Sequence, residues 1–127
     1  MKLGLAAWHR YMLGSDPALL DELIADDAVF HSPVVHTPQA GREKVMLYLT
    51  AAGQVFGNGT FCYVRELTDG PEACLEFECE MDGIAVNGID LIRFDLEGRI
   101  VDFKVMVRPM KAMNKVWELM AERMENT

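Results

Sequence analysis

The run VNGIDLIRFD, residues 86 to 95, sets a carboxylate among apolar neighbours: Asp90 lies between Ile89 and Leu91. Side chains alternate along a strand, so Asp90 shares a face with Ile92 and Phe94. If those two face the interior, the acid does too. A carboxyl there either finds hydrogen-bond partners or keeps its proton at neutral pH, because a bare buried charge is too costly. Both outcomes favour a pocket in which Asp90 gives or takes a proton. The plainer alternative is an acid that hydrogen-bonds Trp8, Tyr48 or a backbone N–H and only fixes the pocket's shape. His31, Ser32 and His36 are the other candidates for catalysis, since a histidine near a pocket mouth is a base at neutral pH. His31 and Ser32 point to opposite faces if the strand extends that far, so at most one of them is inside. His9 falls outside the apolar stripe of its helix. The three histidines show no H-x-x-x-H or H-E-x-x-H spacing and the cysteines no pair, so neither a metal nor a cofactor is expected.

The elements that must position these groups change period halfway along the chain. Residues 3 to 13 carry Leu5, Trp8 and Met12 at helical spacing. Asp16 and Pro17 open a second helix presenting Leu19, Leu20, Leu23 and Ile24. A short strand is expected at about 28–31, then a loop over 32–41, then a third helix over 42–56. Strand-like runs follow at about 60–68, 73–81, 85–95 and 99–108. The turn signals DGP, DG and EG between them imply antiparallel neighbours in a four-stranded meander. The chain ends in MKAMNKVWELMAERM, in which Met110, Met113, Trp117, Met120 and Met124 share one helical face. The result is an α+β fold of one domain over 1–127.

In CLEFECEM, Leu75, Phe77, Cys79 and Met81 face one way and Glu76, Glu78 and Glu80 the other. The apolar side must meet the helices. The pocket is therefore expected to be lined from the first half by Trp8, Phe30 and Tyr48. The strands are expected to add Leu75, Phe77, Cys79 and Ile92, together with Phe103, Val105 and Val107. Cys79 has no histidine placed to activate it. The outer face mixes those glutamates with Ile89, Leu91 and Met106, and Arg65 and Arg93 on flanking strands could answer the acids. Such a mixture suits a homodimer through the outer sheet face; the alternative is a solvated face with weak ion pairs.

Net charge is −8, which disfavours nucleic acid and anionic membrane surfaces as partners. No apolar run reaches a membrane span. Trp8, His9, Arg10 and Tyr11 break the N-terminal apolar stretch, so no leader is expected. Three cysteines without a C-x-x-C point to free thiols and a cytoplasmic setting.

The segments ADDAVFHSP, GRE and GIDLIRFDLEGRIVDFKV together resemble the nuclear transport factor 2-like superfamily. They are most similar to its SnoaL-like polyketide cyclase and ketosteroid-isomerase-like branch, and the likeness spans nearly the whole chain. It implies a cystatin-like cone, a curved antiparallel sheet wrapped round N-terminal helices with a pocket at one end. The family includes isomerases, cyclases, dehydratases, epoxide hydrolases and proteins without chemistry. Asp90 matches the position at which ketosteroid isomerases keep a protonated acid as hydrogen-bond donor. Their general base falls at Ser32, which cannot take a proton from carbon. Their oxyanion tyrosine falls near Trp8, which has only an N–H to offer. The resemblance therefore argues against steroid isomerase activity. It supports binding of a small, mostly apolar molecule, with cyclase, isomerase or dehydratase chemistry at Asp90. A non-catalytic ligand-binding or dimerisation module is the other reading.

Overall fold

A computed structural model describes residues 4–125. Helix α1 (Leu5–Gly14) ends at Ser15, whose left-handed backbone lets its N–H return to the Tyr11 carbonyl at 2.6 Å. Helix α2 (Pro17–Leu23) starts as expected: the Asp16 carboxylate accepts from the Ala18 N–H at 3.0 Å, and Pro17 fills the first turn.

The helix stops sooner than its apolar spacing predicts. Ile24 turns extended and opens strand β1 (Ile24–His31), pairing with Ile100. Helical and strand periods both accept Leu20, Leu23 and Ile24, and the sheet wins because Ile24 is buried there. Arg42, the first residue of α3 (Arg42–Phe56), holds the junction by donating to the carbonyls of Asp21 and Ile24. The expected 32–41 loop contains a two-residue strand, β2 (Gln39–Ala40), paired antiparallel with β1.

The remaining strands are β3 (Cys62–Asp69), β4 (Glu72–Met81), β5 (Ile84–Phe94) and β6 (Ile100–Arg108), followed by α4 (Met110–Glu125). They form the expected antiparallel meander, but the sheet is larger than four strands. Its order is β2-β1-β6-β5-β4-β3, curved and unclosed. The β1–β6 pair is parallel, with Phe30 opposite Phe103. A parallel pair needs a long crossover, here everything from β2 to the turn before β6. The β4–β5 hairpin turns at Asp82 and Gly83, both at positive φ, the geometry of a two-residue type I′ turn.

Strand β4 alternates as predicted: Leu75, Phe77, Cys79 and Met81 are buried, and Glu78 and Glu80 are exposed. On the outer face Arg65 pairs with Glu76 at 2.7 Å, and Arg93 with Glu72 at 2.9 Å. Glu76 also accepts from Asn87 at 3.0 Å; that bond, then Arg65, lowers its pKa.

Helix α4 buries only part of the stripe its methionines suggest. Ala112, Val116 and Met120 face inward, while Met110 is exposed and Trp117 is 60% exposed. The helix packs on α3 and on β5 and β6, and the smaller side chains let it approach closely.

Candidate functional site

The phase of β5 places the acid. Gly88, Asp90, Ile92 and Phe94 are buried, while Asn87, Ile89 and Leu91 are half-buried on the outer face. Asp90 is 6% exposed. Its partner comes from β3. The Tyr63 hydroxyl donates to Asp90 Oδ2 at 2.5 Å, and the Trp8 indole N–H donates to the Tyr63 hydroxyl oxygen at 2.9 Å. The relay therefore runs Trp8 to Tyr63 to Asp90; the first link is fixed because an indole N–H can only donate, and the Tyr63 O–H supplies the second.

Tyr63 reaches the acid from two strands away. It pairs with Phe77 on β4, which pairs with Gly88 on β5. Position 88 must lack a side chain, because a Cβ there would lie 2.6 Å from the Phe77 ring and 2.4 Å from the Met106 carbonyl oxygen. A register shift between Tyr63 and Arg65 aims the tyrosine inward, although the rest of β3 is largely exposed.

Burial in this apolar setting pushes the Asp90 carboxyl up to about 7, and the Tyr63 hydrogen bond only partly offsets it. The Tyr63 phenol is raised well above its ordinary value, by burial first and then by the charge and hydrogen bond of Asp90. Tyr63 thus remains a donor at any ordinary pH. Among the described residues no cation pairs with Asp90, and Oδ1 takes no hydrogen bond.

Asp90 borders an internal cavity of about 30 Å³ between the sheet, α1 and α3, room for about one water. Trp8, Phe77, Phe103 and Val105 line it, as the sequence predicts. Sequence reasoning missed Tyr11, Leu49 and Phe56 in the wall, and Met12, Gly53 and Phe61 at the half-buried rim. It also missed Tyr63. Phe61 and Tyr63 stand two apart at the start of β3, and that alternation is the signal that could have found them.

The other predicted lining residues stand elsewhere. Phe30 and Tyr48 stack on each other, centroids 5.4 Å apart, in the core behind Phe103. Tyr48 does not reach Asp90. Leu75 and Ile92 are fully buried as packing. Cys79 is buried too; burial first, then Cys62, pushes its thiol up to about 11, which leaves it inert.

His31, Ser32 and His36 gather outside the cavity, on an open depression of about 560 Å³ that Val105 and Val107 also border. His31 points away from the core because Phe30 points into it, and its Nε2 lies 2.9 Å from Asp102 Oδ1. Ser32 Oγ accepts from the Val34 N–H at 3.2 Å. His36 is exposed. None of the three lines the space over Asp90.

Residues 5–103 match the model of the SnoaL-like domain. A steroid delta-isomerase from Pseudomonas aeruginosa is 42% identical, with a TM-score of 0.89 over 96% of this chain and 89% of that one. A cystatin-like-fold protein of Silicibacter pomeroyi is 32% identical, with a TM-score of 0.84 over 94% and 83%. The epoxide hydrolase/cyclase-like enzyme SalBIII of salinomycin pyran-ring formation shares the fold at 18% identity, with a TM-score of 0.66 over 84% and 88%. No curated protein matches the chain. On the family match across most of its length, this chain belongs to the SnoaL-like family, with the cystatin-like, nuclear transport factor 2-like fold.

Proposed function

We propose that this chain binds a small, mostly apolar molecule carrying an oxygen over Asp90, and that Asp90 moves a proton there. The observation that carries the reading is a buried carboxyl with one oxygen held by Tyr63 and, among the described residues, no cation beside it and no hydrogen bond to its other oxygen. With Oδ2 accepting from Tyr63, a proton on the acid sits on Oδ1 and is offered to the cavity. A pKa near neutrality populates both forms, which general acid–base catalysis needs. Isomerisation, cyclisation and dehydration all use this step. The steroid delta-isomerase relative supports a small-molecule substrate. Ser32 and Trp8 in place of a base and a phenol argue against the same reaction. Entry displaces Met12 and Phe61, the half-buried side chains of the rim.

Native mass spectrometry of the purified protein is expected to reveal a co-purified small molecule, converted by the wild type and not by Asp90→Asn. Ligand held equally by both proteins and converted by neither would leave a binding module. Ligand pockets are usually some ten times larger than this cavity, so either reading requires the rim to open.

We also propose that two copies meet through the outer sheet face. A groove of about 410 Å³ runs there, bordered by Leu67, Cys74, Ile89 and Met106 between Arg65 and Arg108. Leu67 is 61% and Met106 47% exposed. Apolar side chains ringed by charges of both signs suit a self-complementary contact.

A further inference from the structure

Asp90 is not the only polar group facing the cavity. Tyr11 borders it as well, on a side chain 5% exposed. Three residues along α1 from Trp8, its ring packs beside the indole with centroids 5.4 Å apart, so the phenol reaches across toward α3. A Cβ on Gly53 would stand 3.3 Å from the hydroxyl oxygen. Glycine at 53 is what leaves that hydroxyl room.

The other polar hydrogens around the cavity are committed. The Trp8 N–H goes to Tyr63 and the Tyr63 O–H to Asp90 Oδ2. The Tyr11 hydroxyl has no hydrogen-bond partner among the described residues. No fully buried side-chain oxygen or nitrogen among the described residues lacks a partner, so this hydroxyl keeps open space beside it. As a phenol it is an intact O–H at neutral pH, and desolvation raises its pKa further. Two unpaired groups, the Tyr11 hydroxyl and Asp90 Oδ1, therefore border one small space.

We infer that Tyr11 is a ligand-binding residue whose hydroxyl donates a hydrogen bond to an acceptor oxygen of the substrate, selecting molecules with a carbonyl or enol oxygen over hydrocarbons of the same shape. The inference rests on the reading that the cavity over Asp90 takes a ligand. It assigns to Tyr11 a role that the family resemblance does not place at that residue.

The test uses two rings of equal shape, cyclohex-2-enone and cyclohexene, titrated against the full chain by NMR. Both require the same opening of the rim, so their ratio isolates the oxygen. Tyr11→Phe is expected to weaken enone binding about fivefold to tenfold, the size of one neutral hydrogen bond, and to leave cyclohexene binding and the melting temperature unchanged. In difference infrared spectra the bound enone's carbonyl stretch should move to higher frequency in Tyr11→Phe. Gly53→Ala, which crowds the hydroxyl, should move it the same way. Equal enone affinity and an unmoved carbonyl stretch in Tyr11→Phe would overturn the role of Tyr11 and leave the Asp90 reading standing. Failure of either ring to bind the wild type would overturn both. A Tyr11→Phe chain that does not fold would show that the hydroxyl is structural, and would also overturn the inference.

Discussion

Asp90 is held where its charged form is costly, and this has a consequence for stability with a definite sign. Its folded pKa is about 7 against an ordinary 3.8. Between those values the folded chain binds the proton more tightly than the unfolded one, so stability falls as pH rises. The loss is complete above about pH 7 and is on the order of 4 kcal/mol. Asparagine cannot titrate and still accepts from Tyr63. Urea unfolding at pH 5 and pH 8 is therefore expected to show a steep decline for the wild type and a shallower one for Asp90→Asn. Parallel declines would mean that the acid is not desolvated. Asp90 itself was legible in the sequence, because its alternation with Ile92 and Phe94 fixes its side of β5. Tyr63 was not, because β3 is an edge strand exposed along most of its length and the register shift after Tyr63 breaks the alternation that marks an inward face. The trio His31, Ser32 and His36 was legible as a group, and the inward place expected of Phe30 already turns His31 outward; Ser32 misses the cavity because β1 ends at His31.

Among the elements, β5 carries the tightest constraint. Gly88 lies under the Phe77 ring and beside the Met106 carbonyl, so Gly88→Ala forces backbone or ring to move. Overpacking of this kind costs about 3 kcal/mol, and chemical denaturation should read it as a lower midpoint with the slope retained. A variant as stable as the wild type would mean that β4 and β6 do not clamp β5 at that point. The meander was readable because its turns are short and chemically marked, as at Asp82-Gly83. The start of β1 was not, since Ile24 satisfies the helical period and the strand period alike. The stripe of α4 was partly misplaced for a related reason, Met120 alone of its expected residues being buried. Methionines at helical spacing mark an apolar face, but Ala112 and Val116, being smaller, are the ones that fit against α3 and the sheet.

For the whole molecule, the paired charges and exposed apolar residues of the outer face make assembly the quantity to measure. Met106→Glu places a charge in the middle of the groove between Arg65 and Arg108. Sedimentation velocity is expected to find dimers for the wild type and monomers for Met106→Glu, with the far-ultraviolet spectrum unchanged. A wild-type monomer at micromolar concentration would rule the contact out. The overall α+β layout was legible, yet the parallel joining of β1 to β6 was not: periodicity reports which face a strand buries and never which distant strand it will sit beside.

That pairing also sets an order of events. Among the described residues β1 has only the two-residue β2 on one side, and its other neighbour is the strand of this sheet that is made last. Phe30 cannot find Phe103 until most of the chain has been made. Contacts so far apart in sequence form slowly. During synthesis the greasy edge of β1 waits uncovered, an interval in which a chaperone has most to offer and a crowded neighbour most to spoil.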